Sequence, residues 1–148
     1  MQEATQLRIF FAGLWGLDDL SEPMTALAVS SALSNPDAYV LKPQREGGGN
    51  NLYGAELAAR LQSPEGLSAF ILMQKILPPA QRSVLVRNGD WKEADTVSEL
   101  GIYGAFLRKG PQILLNEEVG HLVRTKTTDS NEGGVAAGFA VLDSPYLV

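Results

Sequence analysis

Several residue types that carry common chemistries are missing from this chain or nearly so. There is no cysteine, which excludes disulfides, thiolate metal sites and thiol nucleophiles, and is compatible with a reducing compartment. His121 is the only histidine. With no second histidine and no G-x-S-x-G, neither a zinc site nor a serine hydrolase is easily built, and His121 reads either as a surface or hydrogen-bonded residue or as a lone acid–base group. Basic residues are outnumbered 12 to 17, for a net charge of −5. A chain so charged lacks the footprint expected for nucleic acid or an anionic membrane, although a few well-placed cations suffice for a phosphate. No apolar run approaches the ~20 residues of a membrane helix. The run Ile9 to Leu17 is flanked by Glu3 and by Asp18-Asp19 with no small-residue cleavage site. It therefore reads as a buried strand or helix end rather than a signal peptide, and a cytoplasmic setting is expected. G-x-x-x-x-G-K-[ST] and G-x-G-x-x-G are both absent.

What is present is ordinary globular material: 148 residues, 45% hydrophobic and 20% charged. That suits one compact domain or one lobe of a larger one. No repeat, low-complexity tract or long linker interrupts it. Met24 to Leu33 behind Pro23 reads as a helix ended by Asn35-Pro36-Asp37, and Ala55 to Leu61 as a second. Tyr39 to Lys42, Phe70 to Met73, Ser83 to Arg87 and Val119 to Thr125 read as strands. Ile102 to Arg108 and Gln112 to Leu115 flank Lys109-Gly110-Pro111 as a hairpin. The expected class is α+β, rich in antiparallel strands with a few helices.

The most informative local feature is the loop from Gln44 to Asn51, with three consecutive glycines, Gly47, Gly48 and Gly49. Without Cβ atoms, backbone N–H groups can crowd an anion. Lys42 stands on the preceding strand, and Arg45 and Glu46 at the mouth of the loop. A lysine offsets phosphate charge, and a carboxylate can hold Mg²⁺, which takes oxygen ligands and bridges to nucleotide phosphates. The glycines alone would equally suit a flexible linker. On the Val119–Thr125 strand, if it continues, Arg124 and Lys126 share one face and Thr125 the other. Two cations beside Gly133-Gly134 suit a carboxylate or phosphate, or form a solvated strand face. Adjacent Glu117 and Glu118 read as a solvated edge, and Trp15 and Trp91 as packing residues.

Four segments in order resemble eukaryotic glutathione synthetase: Tyr39 to Gly54, Phe70 to Ile76, Ser98 to Gly104, and Gly120 to Lys126 with Glu132 to Gly138. Leu142 to Tyr146 is similar to that family's C-terminus. The resemblance implies the C-terminal part of an ATP-grasp fold over residues 1–148, with the upstream portion of the family's enzyme absent. It implies a ligase that joins γ-glutamylcysteine to glycine with ATP and Mg²⁺ through an acyl phosphate, and a homodimer for the full-length enzyme. It further implies that Lys42, Pro43, Gln44, Arg45, Glu46, Gly47, Gly48, Gly49, Asn50 and Asn51 hold ATP, with Glu46 a Mg²⁺ ligand and Tyr53 lining the site. Met73, Gln74, Lys75 and Ile76 would read adenine, and Glu99 would bind the nucleoside end. Lys126 and Glu132 would face ATP, Arg124 would grip a substrate carboxylate, and Val135 and Ala136 would offer backbone to the dipeptide. No protein nucleophile is implied. Gln74 stands where relatives often carry Glu. A non-catalytic nucleotide-binding module and a structural domain with a mobile glycine loop are the competing readings.

Overall fold

The computed structural model describes residues 2–45, 49–63, 65–136 and 138–145. Their contacts divide the chain into two compact units, Met1–Leu77 and Pro78–Val148. The boundary falls at the Pro78-Pro79 pair, where neither helix nor strand can continue easily.

The first unit holds three helices, α1 (Gln2–Arg8), α2 (Pro23–Ser34) and α3 (Gly54–Leu61), with three strands, β1 (Leu14–Gly16), β2 (Tyr39–Pro43) and β3 (Phe70–Gln74). The strands form an antiparallel sheet ordered β1-β3-β2. Helix α2 begins where Pro23 presets φ at its first position and the Glu22 carboxylate accepts the Thr25 N–H at 2.6 Å. The core joins Leu41 and Leu72 of the sheet, Ala28 and Ala32 of α2, Leu57 and Leu61 of α3, and Leu17 and Leu67. Leu57 and Leu61, four apart, fall on one stripe of α3.

The Ile9–Leu17 run corrects an expectation. Only Leu17 is buried, while Ile9, Phe10 and Phe11 are 72–82% exposed. Periodicity marks a residue as apolar, but burial requires an opposing surface. Gly13 is required by close approach, since a side chain there would collide with the Trp15 indole.

The second unit is a four-stranded antiparallel sheet ordered β4-β5-β6-β7, built from β4 (Gln81–Arg87), β5 (Asp90–Lys109), β6 (Gln112–Thr127) and β7 (Val141–Asp143). Asn88 and Gly89 close the first hairpin with φ of 54° and 87°, the positive pair that a two-residue turn matching strand twist demands. Gly110, at φ 56°, lies between β5 and β6 where a hairpin is expected. β5 and β6 are longer than expected, because cross-strand pairing carries them through polar stretches that read locally as breaks. Ala105 and Gly104 pair with Glu117 and Glu118, and Val119 is looped out by a register shift. The distal ribbon leaves Leu100, Ile102, Phe106, Leu107 and Ile113 more than half exposed. No helix among the described residues is long and apolar enough to cross a membrane.

Candidate functional site

Lys42 is exposed on β2, opposite Ile71 of β3. Past it, Pro43 pairs with Phe70 and the Gln44 N–H donates to Ala69 O at 2.9 Å. The Arg45 N–H turns back onto Pro43 O at 2.8 Å, tipping the chain out of the sheet. Glu46, Gly47 and Gly48 lie outside the described residues. The loop re-enters through Gly49, at φ 84° with open space where a Cβ would stand, and exposed Asn50. It ends where Leu52 and Leu41 exchange backbone hydrogen bonds at 2.9 and 3.0 Å. Both ends of the glycine excursion are thus pinned to one strand, and Lys42 sits directly beside the pin.

Tyr53 and Lys75 are brought together: the ammonium lies 5.7 Å from the phenol ring centroid, a cation–π contact. Asn51 Nδ2 reaches Tyr53 Oη at 3.4 Å. At the end of β3, Met73 is half-buried and Ile76 exposed. The Gln74 N–H donates to Gly13 O at 2.8 Å, and its Oε1 accepts the Gly13 N–H at 3.2 Å. The Lys75 N–H donates to Ala38 O at 2.8 Å. The N–H groups of Gln74 and Lys75, in the middle of the expected adenine-reading stretch, are therefore engaged with protein carbonyls. Gln74 also acts as a side-chain clamp on Gly13, a role its sequence context does not reveal.

In the second unit, Glu99 and Arg124 are cross-strand partners, and Val97 faces Lys126 two residues along. Arg124 Nη2 donates to both Glu99 carboxylate oxygens at 2.6 Å. That hydrogen bond, reinforced by the carboxylate charge, raises the Arg124 pKa further above its usual value. Two residues that the resemblance assigns to different ligands thus hold each other. Lys126 Nζ donates to Ser130 O at 2.6 Å, and Ser130 Oγ donates to Glu132 O at 3.0 Å. The cation thereby fastens the start of the segment carrying Glu132, Val135 and Ala136. Gly138 N donates to Val135 O, and Phe139 N to Gly134 O, both at 2.9 Å. Glu132 and Val135 are half-buried, and Ala136 is exposed.

On the opposite face Thr125 is 1% exposed. Its hydroxyl is 2.8 Å from Ser98 Oγ and donates to Asp143 Oδ2 at 2.7 Å. Ser98 and Asp143 are partners of Thr125 that the sequence does not reveal. The available signal was the alternation that sets Thr125 apart from its basic neighbours. Among the described residues no group of three or more His, Asp or Glu side chains converges as a metal site.

The family model that matches is one for an ATP-binding domain, and it covers residues 1–147. It describes the eukaryotic glutathione synthase ATP binding domain, and the chain belongs to this family. The chain is 49% identical to a chloroplastic glutathione synthetase of Solanum lycopersicum, covering 99% of this chain and 27% of that protein. It is 46% identical to the glutathione synthetase of Homo sapiens, covering 99% of this chain and 31% of the human protein. The chain therefore spans roughly three tenths of the length of these relatives. The structure of a glutathione synthetase-like effector from Globodera pallida in its apo form aligns with a TM-score of 0.67 at 23% identity, over 99% of this chain and 30% of that one. That likeness shows the shared mixed α+β fold.

Proposed function

We propose that this chain is the C-terminal, ATP-gripping portion of a glutathione synthetase, a ligase forming the peptide bond between γ-glutamylcysteine and glycine. The observation that carries it is an identity of 46–49% to named glutathione synthetases along 99% of the chain. The glycine loop pinned beside Lys42 supports the same reading. In the proposed reaction the γ-phosphoryl of ATP passes to the dipeptide carboxylate, giving an acyl phosphate and ADP. The glycine amine then attacks the acyl carbon, its proton leaves, and phosphate departs.

Lys42 and the loop from Pro43 to Asn51 hold the phosphates, with Tyr53 alongside and Lys75 held over its ring. Met73 to Ile76 meet the base, with carbonyls and side chains doing what the engaged N–H groups of Gln74 and Lys75 do not. Lys126 and Glu132 face ATP, and Val135 and Ala136 offer backbone to the dipeptide. Arg124 meets the substrate carboxylate once Glu99 turns to the nucleoside. Bound Mg²⁺ would supply positive charge to offset that of the phosphates. Glu46 is the carboxylate that suits it, a single acidic ligand beside phosphates being a usual Mg²⁺ donor set. A cytoplasmic setting and a homodimer of the longer enzyme belong to the same proposal.

The second reading, nucleotide binding without turnover, is favoured by the Arg124–Glu99 pair, which leaves the carboxylate-binding group occupied. Titrating the chain with ATP, with and without Mg²⁺, tests both, and assaying glutathione formation after mixing it with the upstream portion of a relative's enzyme separates the two. Mg²⁺-dependent ATP binding is expected, and its absence overturns both.

A further inference from the structure

We infer that Asp143 is a positioning residue: through the buried Thr125 hydroxyl it fixes where Arg124, Lys126 and the segment carrying Glu132, Val135 and Ala136 stand. β7 is only three residues long and, among the described residues, has ladder pairing with β6 alone, through the pairs Val123–Asp143, Arg124–Leu142 and Thr125–Val141. So short an edge strand has few ladder hydrogen bonds to hold its register. A slip of one residue turns every side chain to the other face. Asp143 would then lie on the Arg124 face and present that guanidinium with a competing carboxylate.

The Thr125 Oγ1 to Asp143 Oδ2 bond at 2.7 Å selects against the slip. The acceptor is charged, and the donor is 1% exposed, so water does not readily replace the lost partner. Asp143 Oδ1 also accepts the Ser144 N–H at 2.8 Å, which orients the carboxylate.

The bond matters to the site because residues 128–140 are tethered at both ends. Lys126 and Ser130 hold the start, and β7 holds the finish, just after the buried Ala140. Moving β7 by one residue, about 3.4 Å in an antiparallel strand, changes the span that segment must cover. Thr125 also lies between Arg124 and Lys126, so releasing it frees the strand from which both cations project.

This inference rests on the proposed nucleotide site for its binding readout but not for its structural one. The experiment compares Asp143→Ala, Asp143→Asn, Thr125→Val, Ser98→Ala and the Asp143→Ala/Thr125→Val double variant of the whole chain. Each is followed by amide hydrogen exchange over residues 124–143 and by Mg·ATP titration. Asp143→Ala and Thr125→Val are expected to speed exchange in β7 and the 128–140 segment and to weaken Mg·ATP binding roughly tenfold, the loss of one charge-assisted bond. The double variant should be no worse than either single one. Asp143→Asn keeps an oxygen acceptor without the charge and should recover part of both readouts. Ser98→Ala leaves the Asp143 bond intact and should bind as wild type.

Additive losses in the double variant, or Asp143→Asn as damaging as Asp143→Ala, overturn the inference. So does faster exchange in Asp143→Ala with unchanged Mg·ATP affinity. Wild type that fails to bind Mg·ATP sinks the proposed site instead, and the exchange pattern alone then decides whether Asp143 holds β7 in register.

Discussion

Arg124 places a single guanidinium nitrogen between the two carboxylate oxygens of Glu99, 2.6 Å from each, across the β5–β6 ladder. The Glu99 side chain is 66% exposed and that of Arg124 36%, so solvent screens the pair and its net worth is at most about 1 kcal/mol. Glu99→Gln is therefore expected to move the thermal midpoint by only a few degrees, yet to free Arg124 for an external carboxylate. Calorimetric titration with γ-glutamylcysteine should show tighter binding in the variant. A large stability loss with no gain in carboxylate affinity would show the pair to be structural.

Glu46 carries the metal half of the proposed site. Glu46→Gln keeps size and hydrogen bonding but removes the charge. It should weaken Mg·ATP by roughly tenfold, as loss of a charged contact does, while leaving adenosine binding unchanged. Competition between Mg·ATP and adenosine measures both, and equal weakening of the two rejects the assignment.

The start of α2 has its own pH dependence. The Glu22 carboxyl is held below its usual value, first by the Thr25 N–H and then by that of Met24. A group whose folded pKa is depressed stabilises the fold above its unfolded value, here 4.5, and loses that contribution as pH falls through the lower folded one. The thermal midpoint of wild type should exceed that of Glu22→Gln near neutrality, and the gap should close in acid below 4.5. A gap independent of pH would be contrary to this.

At the β4–β5 turn, Gly89 has φ 87° and nothing within 4 Å of the place a Cβ would occupy. Gly89→Ala then tests backbone strain without a clash, and should cost about 1 kcal/mol in denaturant unfolding. Asn88→Gly should be tolerated, since φ there is also positive. Equal effects of the two would contradict a turn with both central residues left-handed.

The 148-residue polypeptide is expected to make no appreciable glutathione unaided. It spans 27–31% of the length of the relatives that carry the name, and Glu46 is one carboxylate where charge around a transferring phosphoryl calls for more. Each missing stabilising group commonly costs ~10²–10³ in rate. A steady-state assay with γ-glutamylcysteine, glycine and Mg·ATP checks this, and robust turnover would refute it.

The strands β2 and β3, the helices α2 and α3 and the Lys109-Gly110-Pro111 turn were legible because local rules specify them. Proline at a helix start, glycine where φ is positive and spacing of four on a buried helix face act within a few residues. The Asn88-Gly89 pair is a comparably strong short-range turn signal, yet the hairpin it closes was not among the expected turns. Tertiary structure alone decided the rest. Ile9, Phe10 and Phe11 are as apolar as core residues but meet no opposing surface in their unit. Polar stretches such as Asn116 to Glu118 became strand because a partner strand supplied their hydrogen bonds. Glu99 met Arg124, and Thr125 met Asp143, through a register that depends on two strands at once. Pairings 25 and 18 residues apart are set by sheet geometry, which no short window of sequence contains.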